Sequence, residues 1–243
     1  MTRPAPEVVF LDIDDTLFGT SDFVARARAA AVDAMLARGL NAGRTLVMEE
    51  LAGVVAEFGS NDDRHYDRLL LRLPTSATRE TNRDLLVVAG VIAYHNAKWE
   101  HLRIAEGADA LLRDLKLAGI RLGVITSGLA RKQMEKLLRL GLDRWIDPPL
   151  IYITDSVGIA KSNPLLYSRC AEKSGVAPER AMHVGDHPLH DIDSANRAGL
   201  TTVWRRGGRH ATVEPPTPPH HVIDEITDLR GLLRGEYGVD LPE

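Results

Sequence analysis

Cysteine is almost absent from this chain. Only Cys170 occurs among 243 residues, which excludes an internal disulfide and any metal site built from several thiolates. Its surroundings, YSRCAEKSG, read as helix, so packing rather than nucleophilic chemistry is the expectation for Cys170. Long apolar runs are lacking as well. No stretch of about 18 apolar residues is available to span a bilayer, and MTRPAPE, ahead of the first strand, has no apolar core of a secretion signal. The expected location is the cytoplasm, with no membrane partner. Nor is there an excess of one charge: 30 basic against 34 acidic side chains leave a formal net charge of -4. No overall field draws the protein to nucleic acid or an anionic surface, and nucleic-acid binding is not expected. Internal repeats are missing, and the proline-rich EPPTPPHH (214–221) reads as a rigid surface loop feeding the last strand.

What is present is enough apolar sequence, 44% of the chain, for one compact core or a core with a smaller companion. From about residue 120 onward, short apolar runs alternate with amphipathic stretches. The runs are RLGVIT (121–126), LIYIT (150–154), AMHVGD (181–186), TTVWR (201–205) and a weaker HHVID (220–224). ARKQMEKLLRLG and NPLLYSRCAEKSG between them carry helical spacing and end in glycine. This is the pattern of βαβ units around a parallel sheet, and VVFLDI (8–13) belongs with it. Residues 20 to 106 carry three long helical patterns and no convincing strand. The expected fold is therefore α/β, with a core domain of residues 1–18 and 107–243 and an inserted helical cap of residues 19–106. The joints fall near Gly19 and Gly107, which places the insertion over the end of the first strand as a lid.

That strand end is unusual. Asp12, Asp14 and Asp15 fall within four positions of FLDIDDTLF with no base beside them. In an open parallel sheet, chemistry collects beyond the carboxyl ends of the strands. The groups delivered there are Asp12, Asp14 and Thr16; Thr126, Ser127 and Gly128; Lys161; and Asp186 with Asp191. Clustered carboxylates repel unless a cation sits among them, and hard oxygen ligands suit Mg²⁺. A magnesium site with few protein ligands completes its shell with phosphate oxygens, so the expected partner is a small phosphorylated metabolite. In phosphoryl transfer, Asp12 can act as nucleophile and Asp14 as acid and base. Thr126 with the amides of Ser127 and Gly128, at a helix start, and Lys161 can hold the phosphate.

FLDIDDTLF, VITSG, KSNP and HVGDHPLHD, in this order, resemble the four motifs of the haloacid-dehalogenase-like hydrolase superfamily. The insertion resembles the α-helical cap of its phosphatase branch, and YHNAKWEHLR is similar to a subgroup of prokaryotic Mg²⁺-dependent phosphatases. The resemblance implies a Rossmann-like three-layer core with a central parallel sheet, Asp12 as nucleophile and Asp14 as acid/base. It further implies Thr126 and Lys161 on phosphate, and Mg²⁺ held by Asp12, the Asp14 carbonyl and Asp186, with Asp191 holding a metal-bound water. A homodimer is in keeping with that subgroup. Two positions depart from the pattern: Ser162 stands where proline commonly follows the lysine, and His187 follows Asp186.

Each residue also has a plainer reading. The acidic cluster could be a solvated turn, Asp15 a surface or capping acid, Thr126 a helix cap and Lys161 a solvated loop charge. His183 is expected to be a packed or hydrogen-bonded core histidine, with His187 and His190 at the rim. In the cap, Arg64, His65, Tyr94, His95 and Lys98 could read a leaving group or join helices. The competing functions are a phosphomutase or dehalogenase of the same fold and, from another class, a phosphoaspartate receiver module.

Overall fold

The computed structural model describes residues 3–100 and 102–242. The chain divides into two compact units, one formed by the chain up to Ser21 and from Arg103 onward, the other by residues 22–102. In chain order the elements are β1 (Val8–Leu11), α1 (Thr20–Ala37), α2 (Arg44–Phe58), α3 (His65–Arg72), α4 (Arg83–Glu100), α5 (Ala108–Leu117), β2 (Arg121–Thr126), α6 (Ala130–Arg139), β3 (Ile151–Ile153), α7 (Thr154–Val157), α8 (Leu165–Ser174), β4 (Ala181–Gly185), α9 (Ser194–Arg197), β5 (Thr201–Arg205), β6 (His221–Ile223) and α10 (Asp228–Tyr237).

Among the described residues six strands form one sheet in the order β3-β2-β1-β4-β5-β6. Every pairing is parallel. This is the expected α/β arrangement, and its strand order reverses at β1, where β2 lies on one side and β4 on the other. The four apolar residues of β1 are fully buried, as a central strand covered on both faces requires. Phe10 pairs with Gly123 of β2. A Cβ on Gly123 would lie 2.5 Å from the Phe10 ring and 2.9 Å from the Leu150 carbonyl, so only glycine lets the strands approach this closely. One face of the core packs Phe10, Ile125, Leu150, Tyr152, Leu166, Tyr167 and Cys170 together. The lone cysteine is thus a core residue, and burial pushes its thiol up to about 12. Helices α5 and α10 bury Leu111, Leu112 and Leu115, and Leu229, Leu233 and Tyr237, the one-sided stripes of amphipathic helices.

The second unit is helical. Ala31, Val32 and Met35 of α1, Val47 and Leu51 of α2, Tyr66, Leu69 and Leu70 of α3, and Leu86 of α4 share one apolar cluster. Helix α3 falls outside the three long helical patterns. It has eight residues and its N-cap Arg64 makes no side-chain capping bond, so neither length nor a cap marks it in the text. No helix among the described residues is long and apolar enough to cross a membrane.

Candidate active site at the carboxyl ends of the central strands

Asp12 follows β1 and Asp186 follows β4, so both stand at the switch point of the sheet, where doubly wound folds open a crevice. The Asp12 N–H donates to the Val184 carbonyl at 2.9 Å, which ties the two strand ends together. Carboxylate oxygens of Asp12, Asp186 and Asp191 lie within 4.8 Å of one another, and all three residues are buried. Lys161 sits among them, its Nζ 2.7 Å from Asp12 Oδ1 and 2.5 Å from Asp191 Oδ1. Asp191 is held from several directions. His183 Nε2 lies 3.0 Å from its Oδ1, and the His187 N–H donates to its Oδ2 at 3.0 Å. Tyr167 Oη donates to the His190 carbonyl at 2.7 Å and lies 3.5 Å from Asp191 Oδ1. Gly185 makes room for this carboxylate, since a Cβ there would lie 2.4 Å from Asp191 Cγ.

Three buried carboxylates with one ammonium leave an excess of negative charge. Burial raises Asp186 to about 8, with Asp191 and Asp12 adding to the rise. Burial raises Asp12 to about 7 even though Lys161 opposes it. Burial works against the charge of Asp191 too, but Lys161 and His183 outweigh it and hold that carboxylate well below its usual range. Burial also disfavours the Lys161 ammonium, yet Asp12 and Asp191 keep it charged and raise it above the ordinary lysine value. An all-oxygen donor set with too little positive charge fits a hard divalent cation. The buried Trp204 ring fixes the backbone here, its Nε1 donating to the Asp186 carbonyl at 2.9 Å.

The Asp14 carboxylate is not part of this three-carboxylate cluster. Thr20 Oγ1 donates to its Oδ1 at 2.9 Å, Gln133 Nε2 to its Oδ2 at 3.0 Å, and Lys136 Nζ lies 2.6 and 2.7 Å from the two oxygens. Burial opposes its charge, but the Lys136 ammonium and these donors prevail and hold Asp14 below the usual carboxylate range. Asp15 is not a surface acid: it is 4% exposed and adopts φ 55°. Its Oδ1 accepts from the Thr20 N–H at 2.7 Å at the start of α1, the capping alternative. The Leu17 N–H donates to Ile13 and the Leu17 carbonyl accepts from Ala105 N–H at 2.8 Å, so outgoing and returning chain are joined within this unit.

The loop after β2 differs from the expectation of a helix opening at Thr126. Helix α6 begins at Ala130. The Gly128 N–H is taken by Thr154 Oγ1 at 3.2 Å, and the Ala130 N–H by Asp155 Oδ2 at 3.0 Å. Of that expected phosphate cradle, Gly128 therefore has its amide occupied by a side chain of α7. Thr126 is buried, and its Oγ1 has no hydrogen-bond partner among the described residues; the same holds for Thr16 Oγ1. Buried unsatisfied hydroxyls are the groups an anion or a water would satisfy.

His183 is fully buried on Asp191, as a hydrogen-bonded core histidine. His187, the departure from the resembled pattern, has a local cause. Its Nδ1 accepts from the Leu189 and His190 N–H groups and caps the wide helical turn Pro188–Asp193, and its ring stacks on His190 at 3.9 Å. Ser162 precedes Asn163, whose Oδ1 accepts from the Leu165 N–H at 3.0 Å and starts α8. In the helical unit, His65 contacts the Gly59 carbonyl at 2.8 Å, Tyr94 packs edge-on to His95, and Lys98 lies 4.2 Å over Trp99. Arg64 approaches Asp67 at 4.0 Å. Sequence reasoning missed Thr20, Gln133, Lys136, Tyr167 and Trp204. Nothing in the sequence sets Gln133 and Lys136, three apart in an otherwise conventional amphipathic helix, apart from ordinary polar positions.

Comparison with known proteins agrees with this geometry. A family model described as haloacid dehalogenase-like hydrolase matches residues 6–199. The glyceraldehyde 3-phosphate phosphatase of Methanopyrus kandleri is 37% identical over 233 residues, covering 94% of this chain and 97% of that protein. Its namesake from Pyrococcus furiosus is 36% identical over 236 residues, covering 96% and 95%. Among solved structures, the HAD phosphatase of Thermococcus onnurineus superposes with a TM-score of 0.64 at 22% identity, covering 95% of this chain and 99% of that one. The chain belongs to the haloacid-dehalogenase-like hydrolase family.

Proposed function

We propose that the protein is a Mg²⁺-dependent phosphatase that hydrolyses a small phosphomonoester through an aspartyl-phosphate on Asp12. The observation that carries this reading is the buried trio of Asp12, Asp186 and Asp191 around a single ammonium. Glyceraldehyde 3-phosphate is the substrate to test first, because full-length relatives are named for it.

In this reading Asp12 attacks phosphorus in line with the departing oxygen. Lys161, fixed against Asp12, meets the equatorial oxygens, and the unpartnered Thr126 hydroxyl donates to one of them. The Ser127 amide joins them, while Gly128 contributes the turn rather than its N–H. Asp14 gives a proton to the leaving alkoxide and takes one from the water that later attacks the acyl phosphate. Asp12, the Asp14 backbone carbonyl and Asp186 would hold Mg²⁺, with Asp191 supporting the site, and a bound ion would neutralise the clustered charge and polarise a phosphoryl oxygen.

The test is release of inorganic phosphate from glyceraldehyde 3-phosphate, from other sugar and glycerol phosphates and from nucleotides, with and without Mg²⁺. Magnesium-dependent release from a small phosphate ester supports the reading. No release from any of them contradicts it.

A further inference from the structure

Gln133 and Lys136 stand one turn apart on α6, and both reach back across the crevice loop to the same carboxylate. Lys136 Nζ lies 2.6 Å from Asp14 Oδ1 and 2.7 Å from Oδ2. Gln133 Nε2 divides its two hydrogens between Asp14 Oδ2 at 3.0 Å and the Ser127 carbonyl at 2.6 Å. Thr20 Oγ1 completes the set on Oδ1 at 2.9 Å. Gln133 is 5% exposed, and the Lys136 side chain 12%. These are not solvated surface groups, and Lys136 is further steered by the Phe18 ring 5.6 Å away.

We propose that Gln133 and Lys136 are positioning residues that aim the Asp14 carboxylate and lock it to the loop carrying Thr126 and Ser127. The proposal rests on the phosphatase reading above, in which Asp14 moves the leaving-group proton. A lone carboxylate rotates about two side-chain bonds. Four contacts on its two oxygens remove that freedom, and the shared Gln133 amide fixes it relative to the Ser127 carbonyl. The same donors favour the ionised carboxylate, so Asp14 holds the leaving-group proton only in passing, and the geometry leaves room for it. Each oxygen already accepts two contacts, but Lys136 bridges both, so a proton on either oxygen displaces one arm of the lysine and leaves the other three contacts in place. Displacement of a proton-transfer group by about an ångström costs on the order of a hundredfold in rate.

The prediction separates positioning from general support of the fold, because only a poor leaving group needs the proton. An alkyl phosphate departs as an alkoxide that must be protonated, whereas p-nitrophenyl phosphate releases a stable anion. In Lys136→Met, kcat on glycerol 3-phosphate should fall by roughly tenfold or more relative to kcat on p-nitrophenyl phosphate, with KM for both little changed. Gln133→Leu should show the same selectivity with a smaller loss, and Lys136→Arg should recover part of it. Lys136→Gln, which keeps a donor, serves if Lys136→Met does not fold. Equal losses on the two esters, or none, would overturn the clamp while leaving the phosphatase reading intact. If the wild-type protein releases phosphate from none of the esters named under the proposed function, the phosphatase reading fails and the clamp with it; if it hydrolyses another alkyl ester of that set, that ester replaces glycerol 3-phosphate in the comparison.

Discussion

Lys161 holds its ammonium 2.7 Å from Asp12 Oδ1, with the two side chains 4% and 7% exposed. This lysine opposes the rise that burial and the neighbouring acids impose on the Asp12 carboxyl. It also divides the trio electrically. Asp191, in contact with the ammonium, His183 and the His187 amide, is held ionised, whereas Asp186 receives too little compensation and rises.

Lys161→Met should therefore destabilise the fold by ~3–5 kcal/mol, the usual consequence of removing one partner from a buried ion pair. Chemical denaturation in EDTA measures it. Saturating Mg²⁺ should restore part of the loss by replacing the missing positive charge, while phosphatase activity stays absent. A loss below about 1 kcal/mol would mean that the pair is open to water.

Magnesium affinity should depend on pH. Asp12 and Asp186 hold protons up to about 7 and about 8, and each proton competes with the cation. Affinity should be greatest above about pH 8, where both are ionised, and should fall as pH drops through about 8 and then about 7. Calorimetric titrations in buffers of different ionisation enthalpy should detect proton release on binding within that window. Affinity unchanged down to about pH 5 would show that neither group is raised.

Gly185 and Gly123 give a matched pair of probes. A Cβ at Gly185 meets Asp191 Cγ at 2.4 Å, whereas at Gly123 it meets the Phe10 ring at 2.5 Å. Both alanine substitutions should destabilise by ~1–3 kcal/mol through overpacking. Only Gly185→Ala should also weaken Mg²⁺ binding, because only it displaces a carboxylate of the cluster. Thermal unfolding with and without Mg²⁺ separates the two effects.

The sheet was legible in the sequence because parallel strands are buried on both faces. VVFL, RLGVIT and AMHVG therefore stand out as near-continuous apolar runs. The carboxylates at their ends were legible for the same reason, since a charge directly after such a run has nowhere to lie but the strand end. What escaped were several groups that act from within an element. Gln133 and Lys136 look like ordinary polar positions of an amphipathic helix until folding turns them toward Asp14. Trp204 sits in a strand as any core aromatic would, and Thr20 reads as one hydroxyl among several near a helix start. The helix expected to open at Thr126 begins four residues later because Thr154 and Asp155, distant in sequence, cap the loop that precedes it. Helix α3 was lost for want of length.

As nucleophile of the proposed reaction, Asp12 would carry the phosphoryl group. The most direct measurement is acid-quenched turnover of glyceraldehyde 3-phosphate in Mg²⁺, followed by mass analysis of the peptide containing Asp12. A base-labile phosphoryl adduct on Asp12 is expected in the wild-type protein. In Asp12→Asn no adduct is expected, and kcat should be lower by roughly 10⁴-fold or more. Substantial turnover by a folded Asp12→Asn protein, or an adduct on another residue, would contradict this role for Asp12.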